Sequence, residues 1–269
     1  MINNYYEINN SIGDTEAVII LVHGIGEHIG RYKHVFKYFN KNNISVAAFD
    51  LRGHGRTKGR RGYSPDYDSM LDDIAQFLLY VKIQFKGVPV ILYGHSMGGN
   101  LLANFVMKYS PDVAGVILSC PGLQLGYDAG RFKLLLAKIF WRIVPGLTVK
   151  NVLDVKYLSR DPVVIENYIN DDLTHNRISI RFALETMAAG KWALDNAEKF
   201  NLPLLLMQAS KDKIVDVKKN IEFARSVSGP CEIKEWPGLY HELHNEHEYE
   251  QVLEYVLHWI KKIYRSDIG

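Results

Sequence analysis

The residue types best suited to nucleophilic chemistry meet at Gly94-His95-Ser96-Met97-Gly98. Ahead of them, Val88-Pro-Val-Ile-Leu-Tyr93 is an apolar run of the kind that forms a buried parallel strand. Behind them, Asn100-Leu-Leu-Ala-Asn-Phe-Val-Met-Lys108 has helical spacing and stops at Ser110-Pro111. A G-x-S-x-G sequence between strand and helix is a nucleophile elbow. Its turn is too tight for bulky neighbours, and it lifts the serine hydroxyl clear of the sheet edge. The helix N-terminus beside that hydroxyl favours developing negative charge. Ser96 is the candidate nucleophile.

A serine nucleophile needs a base, and the base needs an orienting acid. Both belong on loops that leave the carboxyl ends of later strands. The apolar run Leu202–Gln208 delivers Ala209-Ser-Lys-Asp212, and the run Cys231–Trp236 delivers Pro237-Gly-Leu-Tyr-His241. The order Ser96, Asp212, His241 is the one this architecture uses. Asp216 is a rival acid, but its place before a helical segment reads as an N-cap. His244 and His247 raise a metal reading. A zincin helix would need histidine three residues after Glu242, where Asn245 stands, so no metal and no cofactor are expected. These two histidines read as solvated or capping groups. His28, His34, His175 and His258 carry no signal beyond ordinary use.

An acyl-transfer intermediate also needs two N–H donors for its oxyanion. One is the backbone of Met97, after the nucleophile. The other lies on the loop His23-Gly24 leading to Ile25. Arg52-Gly53-His54-Gly55 matches neither phosphate-binding fingerprint and reads as a tight loop at the rim.

The elements that must position these groups alternate. Strands are expected at residues 5–9, 17–22, 44–49, 88–93, 113–118, 202–208 and 231–236. Helices are expected at 31–39, from Ser64-Pro65 to about Val81, at 100–108, 217–227 and 245–264. This alternation predicts an α/β fold with a mainly parallel sheet covered on both faces. Between 122 and 199 no segment reads as a strand and helical patterns dominate. The expected division is a core at 1–121, a helical cap at 122–199 and a second core part at 200–269.

At 269 residues the chain suits one large domain with an insertion. A formal net charge of +2 gives no electrostatic argument for nucleic acid. Lys58-Gly-Arg-Arg61 reads as a solvated loop, with acidic head-group contact as the lesser reading. Cys120 and Cys231 make no disulfide framework and suit a reducing compartment. Residues 1–7 lack a signal-peptide layout, and no window approaches ~18 uninterrupted apolar residues. A cytoplasmic location is expected.

With these residues in place, the chain resembles the monoacylglycerol lipase and lysophospholipase branch of the α/β-hydrolases, within the serine aminopeptidase-type group. The matching pieces are His23-Gly-Ile-Gly-Glu-His28 with Gly30-Arg-Tyr32, Asp50-Leu-Arg-Gly-His-Gly55, Gly94-His-Ser-Met-Gly-Gly99, Ser159-Arg-Asp-Pro162, Ser210-Lys-Asp212 and Tyr240-His241. The resemblance implies Ser96 as nucleophile, Asp212 as acid, His241 as base, and Ile25 and Met97 as oxyanion donors. It also implies residues near 122–199 as a lid over an acyl tunnel. Such proteins commonly carry two antiparallel strands before the strand at Val18, where this chain is short, so one edge strand is expected to be missing. The apolar stretch Phe132–Val144 is too rich for one helix stripe. It faces an acyl pocket or a lipid surface, with Lys133, Lys138 and Arg142 near anionic head groups, or it is buried on the core. The expected activity is hydrolysis of a single-chain lipid ester, with peripheral membrane or micelle contact through the cap. A short-chain carboxylesterase, thioesterase or peptidase is the alternative. A binding protein without catalysis is disfavoured, because no triad member is lost.

Overall fold

Strands β2 (Ala17–Val22), β3 (Ile44–Phe49), β4 (Val90–His95), β5 (Gly115–Ser119) and β8 (Leu204–Ala209) are buried at every residue. Alternate side chains feed two separate cores. From β2, Ala17, Ile19 and Leu21 enter one, while Val18, Ile20 and Val22 enter the other. In this computed structural model, which describes residues 2–127, 144, 146–151 and 153–266, the main sheet has the order β1-β3-β2-β4-β5-β8-β9. Strand β1 (Tyr6–Asn9) pairs antiparallel with β3, and the other pairings are parallel, out to β9 (Cys231–Trp236). The protein has a parallel-dominated α/β fold. Helices α1 (Lys33–Asn40) and α7 (Tyr249–Ser266) close one face. Helices α2 (Asp68–Gln84), α3 (Met97–Tyr109) and α6 (Val217–Ser226) close the other.

Between β5 and β8 the chain leaves the sheet. Helix α4 (Pro162–Asn170) starts where Asp161 caps it, its carboxylate accepting from the Val163 N–H, with Pro162 in the first turn. Helix α5 (Ile180–Asp195) follows and packs on α3. The sequence shows no strand in this region, yet β6 (Thr148–Lys150) and β7 (Arg177–Ser179) form a small antiparallel pair. Three residues are too few for an alternating pattern to register, and the pairing joins positions distant in sequence. Most of the apolar stretch Phe132–Val144, with Lys133, Lys138 and Arg142, lies outside the described residues.

One other expectation changes. Helix α2 begins at Asp68 rather than at Ser64-Pro65, because the Asp66 carboxylate accepts from the Ser69 N–H at 2.7 Å and fixes the start there. Among the described residues a single strand, β1, precedes β2, as expected from the short stretch before Val18. In the basic loop Lys58, Gly59 and Arg60 are exposed, while Arg60 donates to the Gly146 carbonyl at 2.8 Å and Arg61 to the Gly55 carbonyl.

Candidate active site

Four candidate loops leave the carboxyl edge of the parallel sheet, after the neighbours β2 and β4 and, across β5, after β8 and β9. Ser96 follows β4 directly with φ 52° and ψ −116°, a conformation that costs a non-glycine residue of order 1–3 kcal/mol. The elbow is pinned through its backbone. The Ser96 N–H donates to the Ser119 carbonyl at 3.0 Å, and its carbonyl accepts from the Gly122 N–H at 2.8 Å. Gly98 lets α3 approach the sheet, since a Cβ there would sit 2.0 Å from the Val22 carbonyl oxygen.

The structure brings Ser96, His241 and Asp212 into one hydrogen-bonded chain. His241 Nε2 lies 2.9 Å from Ser96 Oγ, and His241 Nδ1 lies 2.7 Å from Asp212 Oδ2. The other Asp212 oxygen accepts from the N–H groups of Ile214 and Val215, at 2.8 and 3.2 Å. That carboxylate therefore holds the proton on Nδ1 and leaves Nε2 free to accept from the serine. Burial opposes ionisation of Asp212, but His241 and the two N–H donors outweigh it and lower its pKa. Burial also opposes a charged His241, yet the Asp212 charge and hydrogen bond, with Glu242 and Glu27 adding, raise its pKa above the ordinary value. An imidazole so placed is suited to take a proton from the serine.

Met97 opens α3, so its N–H has no intrahelical acceptor, and Ile25 stands on the β2 loop. Among the described residues neither amide donates to a protein group. Asp216 sits on the α6 cap, accepting from the Lys219 N–H at 3.1 Å. Asp50 is buried and binds the Ile29 and Arg56 N–H groups, so its glycine-rich loop is filled by its own carboxylate. Cys120, Asp212 and His241 place ligand atoms within 4.8 Å of one another. The Asp212 and His241 atoms are already bonded at 2.7 Å, closer than two ligands stand around one tetrahedral ion, so the set does not fit a metal site.

The family model of the serine aminopeptidase S33 hydrolases matches residues 13–248. The chain belongs to this family. It is an α/β-hydrolase and a serine hydrolase. It is 31% identical over 257 residues to a monoacylglycerol lipase of Mycolicibacterium smegmatis, covering 95% of this chain and 91% of that one. A phospholipase of Bacillus subtilis, YtpA, is 34% identical over 239 residues, covering 88% and 92%. The crystal structure of the Paleococcus ferrophilus monoacylglycerol lipase superposes with a TM-score of 0.87 at 29% identity, covering 95% of this chain and 97% of that chain.

Beside His241 this hydrolase carries a polar cluster that sequence reading did not find. The Arg31 guanidinium donates to Glu242 at 2.6 and 2.7 Å and to Glu27 at 2.8 Å, with both carboxylates buried and the Arg31 side chain 9% exposed. Burial disfavours the charged Glu242, but Arg31 outweighs it and holds the carboxyl far below the usual carboxylate range. His244 is neither solvated nor capping. It is fully buried, stacked 4.4 Å from Tyr32, with neither ring nitrogen bonded to a described residue, and burial pushes its pKa far down. His247 is exposed. His28 caps the turn at Ile29 and meets Asp171 at 2.8 Å. Only the E–H–x–G–R–Y run after Gly26 hinted at this cluster.

Because Glu242 helps raise the His241 pKa, Glu242→Gln should move the acid limb of the kcat/KM profile to lower pH. The limb reports the base losing its proton, so removing a nearby negative charge favours the neutral form earlier. A pH series on a soluble ester checks this. An unmoved limb would mean that Arg31 already cancels the Glu242 charge at the base.

Proposed function

We propose that this hydrolase cleaves the carboxylic ester of single-chain lipids, monoacylglycerol first and lysophospholipid second, through an acyl-enzyme on Ser96. The observation that carries the reading is the hydrogen-bonded chain from Ser96 to His241 to Asp212 at a strained elbow. Ser96 Oγ attacks the ester carbonyl as its proton passes to His241 Nε2. The oxyanion forms against the Met97 and Ile25 N–H groups. On collapse His241 gives its proton to the departing alkoxide oxygen. Water then attacks the acyl-enzyme, with His241 as base again, and a fatty acid leaves.

Relatives named monoacylglycerol lipase and phospholipase support a lipid ester over a peptide. A cavity of about 650 Å³ beside Gly122 combines the apolar Leu123, Leu125, Met187 and Phe223 with the charged Lys191, Asp195, Lys219 and Glu222 in its lining. Exposed Leu147, Val149, Val163 and Ile169 support contact of the 122–199 cap with a lipid surface. Among the described residues no helix is long and apolar enough to cross a membrane. The free cysteines Cys120 and Cys231 support action in a reducing, cytoplasmic compartment.

The test is product analysis with monoacylglycerol, lysophosphatidylcholine and a short p-nitrophenyl ester. Free fatty acid from either long-chain lipid is the expected result, with the glycerol ester turned over faster. Turnover of the short ester alone would keep the triad and overturn the lipid assignment.

A further inference from the structure

The loop that carries the Ile25 N–H is gripped from both sides, and one grip belongs to the inserted cap region. Upstream, the Gly24 N–H donates to Glu27 Oε1 at 2.6 Å, and the Tyr32 hydroxyl donates to the same oxygen at 2.8 Å. Downstream, the Gly26 carbonyl accepts from the His175 N–H at 2.9 Å and from the Tyr168 hydroxyl at 3.2 Å. Gly26 has φ +75°, and a Cβ there would lie 2.3 Å from the His175 carbonyl oxygen. The cap backbone occupies the space a side chain would need. On the nucleophile's side, a Cβ on Gly24 would lie 3.2 Å from Ser96 Cβ. Cap, loop and nucleophile thus form one stack.

Tyr168 is itself held. The residue is buried on α4, and the Arg31 guanidinium lies 4.8 Å from its ring centroid. The next turn is tied down where Asp171 meets His28 at 2.8 Å. The Ile25 N–H belongs to the Gly24–Ile25 peptide plane, which swings away from Ser96 if the residues around it rotate. The carbonyl of that plane, on Gly24, lies 2.7 Å from His23 Nδ1, and fixing the Gly24 N–H before the plane and the Gly26 carbonyl after it removes the freedom that this one contact leaves. An oxyanion donor is effective when it is oriented in advance of the reaction.

We propose that Tyr168 is a positioning residue of the oxyanion hole. Through its hydroxyl and the His175 N–H on the Gly26 carbonyl, the cap region keeps the Ile25 N–H aimed at the reacting oxygen. The inference rests on Ser96 as nucleophile and Ile25 as an oxyanion donor. It makes the seating of the cap a condition for chemistry on any ester, including those too short to touch apolar cap residues.

The experiment uses the full chain, Tyr168→Phe, with p-nitrophenyl acetate as substrate. Reactive sites are counted by titration with diisopropyl fluorophosphate, so that misfolded protein is excluded. The phenylalanine keeps the ring beside Arg31 and removes only the donor. The expected result is a fall of about tenfold in kcat per titrated site with KM within about twofold, and an equal loss of affinity for a boronic acid transition-state analogue. Glu166→Gln, exposed on the same helix, should leave kcat unchanged. Unchanged kcat per site, or a loss confined to KM, overturns the proposal. A wild-type chain that neither labels at Ser96 nor turns over the acetate would instead remove the Ser96 reading beneath it.

Discussion

Replacing Ser96 with alanine should lower kcat by about 10⁴- to 10⁶-fold while leaving the thermal midpoint within a few degrees of wild type. The loss is large because the nucleophile and base act as a unit. Among the described residues His241 is hydrogen-bonded to no other hydroxyl, so removal of the partner 2.9 Å away forfeits the acyl-enzyme route. Stability should change little or rise. The left-handed φ of 52° strains alanine much as it strains serine, and the elbow's hydrogen bonds run through the backbone, which alanine keeps. Rates on a soluble ester and a melting curve check both halves. Activity within tenfold of wild type would remove Ser96 from the mechanism.

Arg31→Ala should cost about 3–5 kcal/mol of stability, because it leaves two buried carboxylates without their cation. The pH dependence should also change sign. In the wild type the depressed Glu242 pKa contributes stability that is fully present above the ordinary carboxylate value and is lost as pH falls through the folded value. Without Arg31, burial should outweigh the smaller opposing effects of His244 and His95 on Glu242 and raise its pKa above the unfolded value. The destabilisation is then greatest at neutral pH and is relieved on acidification, as the carboxyl takes up a proton. Denaturant melts between pH 7 and pH 5 separate the two cases. A cost below about 1 kcal/mol, or no gain in stability toward pH 5, would show that water reaches the pair and that the cluster is not a buried unit.

The sequence by itself determined the parts whose conformation depends on near neighbours. The all-apolar runs of β2, β4 and β8 declare strands covered on both faces, and their alternation with helices declares the fold class. Ser96 is legible because glycines close to it in the chain make its turn. Asp212 and His241 are legible because each follows a strand at once, and parallel strands put such loops on a common edge. The β6–β7 pair was not legible, since three-residue strands carry too little pattern. The arginine–carboxylate cluster was hidden for a different reason. Arg31 and Glu242 come from distant loops, and nothing local to either one marks a buried partner. His244 reads as polar on its own and becomes a buried ring only when Tyr32 and His95 arrive on either side of it. The same holds for Tyr168, which meets the Gly26 carbonyl 142 residues away in the chain. Tertiary structure decided these because a polar group's partner and burial depend on which loops the sheet order brings to one edge, and spacing along the chain does not encode that meeting.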